Sequence, residues 1–323
     1  MTAWLLSGLG LVILLLAGDA LVRGAVNLSL RIGVPALIVS LTIVAFGTSA
    51  PELLISIKAV QENAPGIALG NVVGSNTANI LLVLGVPAML ATLHTSECNT
   101  RRNYVFMLIA SVLFIGLAFC GTFTLVSGLI LLTALTLVLL NAFRQAHAHR
   151  KANNCSVDAD EDLEALEVLE EADPDMPYWR VSVYLALGLI GLPMGANLLV
   201  ENAAIIARTY GVSETVIGLT LVALGTSLPE LATTVMAALR RQADVALGNV
   251  IGSNMFNLLA IIGIATFFGN IDVDPEFLEF DLWVMLGASL LLIPFVFFRQ
   301  DINRLWGVAL TTLYVIYVIA VLT

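Results

Sequence analysis

The chain reads Gly47-Thr48-Ser49-Ala50-Pro51-Glu52 and, 178 residues later, Gly225-Thr226-Ser227-Leu228-Pro229-Glu230. The same offset carries Gly70-Asn71-Val72-Val73-Gly74-Ser75-Asn76-Thr77-Ala78-Asn79 onto Gly248-Asn249-Val250-Ile251-Gly252-Ser253-Asn254-Met255-Phe256-Asn257. Between residues 33–85 and 211–263 the copies align without a gap, and 24 of 53 positions are identical. The identities gather around Glu52 and Glu230, acids set inside long apolar runs. Duplicated, interrupted apolar segments that each hold a carboxylate are the sequence mark of a transporter's ion site.

Composition sets the surroundings. The chain has 323 residues, 59% hydrophobic and 12% charged, against about 25% charged in a soluble domain. This is the composition of an integral membrane protein. The net charge of −10 is unevenly spread, because ten of the 24 acids fall between Asp158 and Asp175. Three cysteines (Cys98, Cys120 and Cys155) form no disulfide framework or Cys-rich metal motif, and no nucleic-acid partner is indicated. The apolar N-terminus has no basic flank and reads as a retained span.

Runs long enough to cross a bilayer lie near 4–22, 34–58, 67–93, 104–121 and 123–143, then near 181–206, 212–239, 245–268, 281–298 and 305–322. The expected fold class is therefore an all-α integral membrane protein with ten transmembrane helices. Five spans form a first repeat (1–145) and five a second (180–323), joined by an acidic linker (146–179). An odd number of spans per copy inverts the second copy in the membrane, with broken helices at the midplane. With the N-terminus outside, twelve of the 14 Lys and Arg residues fall on the inner side, and only Lys58 and Arg208 on the outer. The positive-inside rule then places both termini outside and the linker in the cytoplasm. A bacterial inner (plasma) membrane location is expected. The linker reads as a solvated segment with a short apolar stripe at Leu163, Leu166 and Leu169; its spacing does not match an EF-hand loop.

A mid-membrane carboxylate costs roughly 3 kcal/mol unless paired or coordinated, so Glu52 and Glu230 are functional candidates. Pro51 and Pro229 lack an amide hydrogen, which leaves the carbonyls of Gly47 and Gly225 without their helical donors and loosens neighbours such as Ala45 and Ala223. Thr48 and Ser49, at i−4 and i−3, are expected to share the Glu52 helix face, as are Thr226 and Ser227 with Glu230. Ser75 with Asn79, and Ser253 with Asn257, are i, i+4 neighbours on the adjoining span. These small polar groups also glue helices together. The set is all oxygen, suited equally to Ca²⁺ and Na⁺, and no Cys, Met or His at ligating positions favours a soft metal. His94, His147 and His149 stand outside the motifs.

On these motifs the chain resembles the cation/Ca²⁺ exchanger superfamily, in particular the prokaryotic Na⁺/Ca²⁺ exchangers with two alpha repeats. The resemblance spans the ten-span layout and implies alternating access, with Na⁺ entry driving Ca²⁺ out. It implies Glu52 and Glu230 as shared Ca²⁺/Na⁺ carboxylates. Thr48, Thr226 and the Ala45 and Ala223 carbonyls would be further ligands. Ser49, Ser227, Ser75 and Ser253 would line flanking Na⁺ positions, with Asn79 and Asn257 completing the centre. Asn257 stands where K⁺-dependent relatives carry aspartate, which points away from K⁺ coupling. H⁺/Ca²⁺ exchangers carry Gly-Asn-Ala-Ala-Glu-like sequences instead, leaving H⁺ or other-cation antiport as the alternative. A channel needs a continuous pore, and an intramembrane hydrolase a base beside Ser49 or Ser227. No cofactor is expected beyond the transported ions. The partners are Ca²⁺, Na⁺ and the lipid bilayer, and a monomer suffices for transport.

Overall fold

Apolar stretches broken by proline and glycine fold here as long helices with interruptions at fixed places. A computed structural model describes residues 2–153, 173, 175–211, 223–275 and 277–322. Most of the acidic linker, with its Leu163, Leu166 and Leu169 stripe, and Cys155 lie outside the described residues. Among the described residues eight helices are long and apolar enough to cross a bilayer. The pair Ala36–Thr48 and Ala50–Gln61, bent by 43° at its break, makes nine. The expected tenth span, 212–239, is described only from residue 223: a short turn of helix, Ala223–Thr226, then the helix Leu228–Leu239.

The offset of 178 reaches further in the backbone than in the sequence. Six described residues have positive φ, and they form three pairs at that offset. Gly33 (65°) pairs with Gly211 (79°), Asn63 (56°) with Arg241 (56°), and Gly121 (83°) with Arg299 (53°). Asn63 and Arg241 each follow a helix, and the next residue's amide bonds five residues back, Ala64 to Ala59 and Gln242 to Ala237, both at 2.8 Å. That is a Schellman-type stop, which needs a left-handed residue whatever its side chain.

The first helix, Thr2–Ile32, lies antiparallel against Tyr178–Thr209, the first helix of the second half. A Cβ on Gly10 would stand 2.6 Å from the Leu199 backbone. The equivalent Cβ on Gly188 would stand 2.5 Å from Leu21. Small residues permit this close approach, as is usual between membrane helices. Two loop contacts repeat the relation. Leu93 and Ile302 exchange backbone bonds of 3.0 and 3.1 Å, and the strand Thr122–Phe123 pairs antiparallel with Ile271–Asp272. Each joins a loop of one half to a loop of the other. The first is reinforced by His94 Nδ1, 3.0 Å from Asp301 Oδ2.

Two helices carry the Gly-Asn-x-x-Gly-Ser-Asn motifs at the centre, Pro65–Leu81 and Ala243–Ala265. The second is 100% buried over its span window, whereas the last helix, Arg304–Leu322, is 11% buried and presents its apolar side chains outward. Apolar exteriors around a polar centre are the arrangement a bilayer demands.

Candidate functional site: two glutamates at a broken-helix crossing

The helices break where the motif predicts. Ser49 (φ −83°, ψ 2°) and Ser227 (φ −86°, ψ 0°) interrupt the two copies identically, and Pro51 and Pro229 open the following helices. Glu52 and Glu230 therefore sit in the first turn of a half-helix, where the N-terminal dipole favours an anion. Each is 1% exposed.

Serine at a helix N-cap ordinarily accepts a bond from the first turn, a contact worth about 1 kcal/mol. Neither serine makes it. Ser49 Oγ instead donates to Glu230 Oε1 at 3.4 Å, across the molecule. Ser227 Oγ is buried without a partner. Side chains that forgo a cap are committed to another task.

The helix is bent by 43° between Thr48 and Ala50, and the Thr48 and Ser49 hydroxyls find partners in the other repeat. The Thr48 hydroxyl lies 3.3 Å from Asn249 Oδ1 and 3.4 Å from Ser253 Oγ, both in the other repeat. Thr48, Ser49 and Ser253 thus gather around Glu230 rather than Glu52. The Ala45 carbonyl is partly engaged, accepting from the Ser49 amide at 3.0 Å with Thr48 Oγ1 at 3.3 Å.

Asn71 and Asn249, given no role in the sequence reading, support the glutamates. Asn71 Nδ2 donates to the Glu52 carbonyl at 3.1 Å and to Ser56 Oγ at 3.0 Å. Asn249 Nδ2 does the same to the Glu230 carbonyl and to Thr234 Oγ1, at 3.4 and 3.2 Å. Their identity at the common offset was the available signal. Met107 Sδ, 3.8 Å from Asn254 Nδ2, gave none.

Asn76 and Asn254, themselves 178 residues apart, donate reciprocally to each other's carbonyl at 3.2 and 3.4 Å. Equivalent residues that meet in this way mark a local two-fold axis. Both repeats also bury oxygens without partners: Glu52 Oε2, Glu230 Oε2, Ser227 Oγ, Asn76 Oδ1, Asn79 Oδ1 and Asn257 Oδ1. Leaving one such group unpaired costs about 1–3 kcal/mol, a cost that a bound cation would offset. The two carboxylates are near enough to repel. Ser75 is buried on the Asn79 helix face as expected. Thr226 and the Ala223 backbone lie in the turn before Ser227. Among the described residues no three of His, Cys, Asp and Glu cluster, so the oxygens on offer come from two carboxylates and neutral groups. That chemistry suits a hard cation.

Fold and site together define a membrane cation transporter. The profile of the sodium/calcium exchanger protein family matches residues 2–144 and again 181–323. The chain is 36% identical over 287 residues to the putative antiporter CaxA of Alkalimonas amylolytica, covering 88% of this chain and 86% of that protein. It is 34% identical to the sodium/calcium exchanger MaX1 of Methanosarcina acetivorans, covering 96% of both. A solved structure of the sodium–calcium exchanger NCX_Mj, soaked with Na⁺ and Sr²⁺, superposes with a TM-score of 0.81 at 30% identity over 98% of each chain. The chain belongs to the sodium/calcium exchanger family, an integral membrane cation/Ca²⁺ antiporter.

Proposed function

We propose that the protein exchanges Na⁺ for Ca²⁺ by alternating access, with Na⁺ entry driving Ca²⁺ efflux and without K⁺. The observation that carries this is the set of unpartnered buried oxygens contributed by both repeats, Glu52 and Glu230 among them. Ca²⁺ takes six to eight oxygens in a flexible shell. In this reading Glu52, Glu230, Thr48, Thr226, Ala45 and Ala223 supply them, with Asn79 and Asn257 at the centre. Ser49, Ser227, Ser75 and Ser253 line flanking Na⁺ positions. Na⁺ and Ca²⁺ compete for the same two carboxylates, and that competition couples their fluxes.

The proposed frame is ten spans in two inverted repeats, 1–145 and 180–323, with the linker 146–179 in the cytoplasm and both termini outside. The antiparallel first helices and the reciprocal Asn76–Asn254 contact support inversion. The relatives named as antiporter and exchanger support a plasma-membrane role.

The test is Ca²⁺ flux in sealed vesicles under Na⁺, K⁺ or H⁺ gradients imposed one at a time. A Na⁺ gradient is expected to drive Ca²⁺ movement, with no added effect of K⁺. Flux driven by H⁺ and indifferent to Na⁺ would overturn the assignment.

A further inference from the structure

Asp19 lies on the first helix, outside the glutamate site. Its Oδ2 accepts from Arg23 Nε at 2.9 Å, and its Oδ1 forms a close ion pair with Arg240 Nε. Asp19 and Arg240 are only 18% and 26% exposed. Arg240 follows directly on Leu228–Leu239, the half-helix whose first turn holds Glu230. The same two helices touch further along, where a Cβ on Gly18 would meet the Ala232 carbonyl at 2.9 Å.

The two-fold relation makes this pair informative. The contacts Gly10–Leu199 and Gly188–Leu21 show that the 178 offset holds through the first helices. It carries Asp19 to Asn197 and Arg240 to Glu62. A neutral amide opposite an acid cannot reproduce the ion pair, and Glu62 lies instead 3.8 Å from Lys58 of its own helix. The Asp19–Arg240 pair therefore has no counterpart at the equivalent positions, Asn197 and Glu62. The end that holds the pair carries Arg23, Arg31, Arg240 and Arg241, the end that the positive-inside rule assigns to the cytoplasm.

We propose that Asp19 and Arg240 are positioning residues: a latch that holds the first helix on the Glu230 half-helix and favours the conformation closed toward that face. The proposal rests on the alternating-access reading above. The latch acts through the half-helix that presents Glu230, and it touches no transported ion. Breaking it raises the population open to the Arg240 face. The apparent affinity for Ca²⁺ then rises on that face and falls on the opposite one, while the maximal flux is retained.

The experiment measures Ca²⁺ KM and maximal flux from each face, in right-side-out and inverted vesicles. Asp19→Asn, which installs the residue found at position 197, is expected to lower KM at the Arg240 face about three- to fivefold and to raise it at the other, the range of a partly exposed ion pair. The double variant Asn197→Asp with Glu62→Arg keeps the native latch and adds a second on the opposite face. It is expected to shift both KM values toward each other without loss of Na⁺ dependence. Parallel changes at both faces, or no change in either variant, would overturn the latch. Should Asp19→Asn not fold, the double variant decides. Wild-type protein without Na⁺-driven flux from either face would instead refute the exchange reading itself.

Discussion

At the offset of 178, Asn63 and Arg241 share neither size nor charge, yet both take φ 56° and stop their helices alike. Asn79 and Asn257 are the same residue in the same motif, yet their surroundings differ. Asn79 Nδ2 donates to Asn254 Oδ1 at 3.0 Å, whereas neither polar atom of Asn257 has a partner. The backbone does not separate them: Phe256–Ile261 winds as a π-turn, and at the equivalent place in the first copy the Val83 amide bonds five residues back to Ala78 at 2.9 Å. π-Turns inside helices commonly mark functional sites. The repeats thus agree in backbone where their sequences diverge, and part company in hydrogen bonding where their sequences agree. Architecture follows the duplication, while the hydrogen bonds of the candidate site differ from copy to copy.

The largest test of this comparison is at the carboxylates. Glu230 holds a bond from Ser49 and Glu52 holds none from Ser227, so unequal duties would appear as unequal losses. We expect instead that Glu52→Gln and Glu230→Gln each lower Na⁺-driven Ca²⁺ flux by more than about a hundredfold, beyond the 10- to 100-fold typical of supporting residues at metal sites. A variant that retains flux would remove its glutamate from the site. Next come the supporting amides. Asn249 also accepts Thr48 at 3.3 Å. Asn71→Ala and Asn249→Ala should each cost about 10- to 100-fold in flux.

Packing gives a smaller effect. A Cβ on Gly252 would stand 2.5 Å from the Leu41 carbonyl and 2.6 Å from Ala45 Cβ. Gly252→Ala should destabilise by about 1–3 kcal/mol through overpacking, measured as a lower melting temperature in detergent. Asn79→Ala strips Asn254 Oδ1 of its donor and should cost about 1–3 kcal/mol in ion-free protein. Asn257→Ala breaks no such bond and should be close to neutral there. Equal losses would mean that the bond to Asn254 does not distinguish the two asparagines. The smallest effect concerns Arg241, a non-glycine residue in the left-handed region. Arg241→Gly should stabilise by up to about 1 kcal/mol, and Asn63→Gly by less, because asparagine tolerates that region better. Thermal unfolding of the pair checks the difference.

Much of this was legible before any coordinates. Pro51 and Pro229 broke the helices where a missing amide hydrogen requires it. Glu52 and Glu230 are buried, and Ser75 and Asn79 keep their i, i+4 relation because their helix is continuous. The pairing of Thr48 and Ser49 with Glu230 was not legible, because helical spacing says nothing of contacts between the repeats. Asn71 and Asn249 stand within a repeated motif, but what they hold is a carbonyl 19 residues away. The Leu93–Ile302 bridge joins loops with no shared motif.

By itself, the sequence determined membrane residence, duplication, the places where helices break and the two carboxylates. These follow from hydropathy, from proline's missing donor and from the cost of a buried charge, all properties of a short stretch of chain. Only the tertiary structure decided which hydroxyl serves which glutamate, that Asn257 differs from Asn79, and that Asp19 meets Arg240 without a counterpart at Asn197. Those are contacts between the two copies, set by how one half packs on the other across an imperfect two-fold axis.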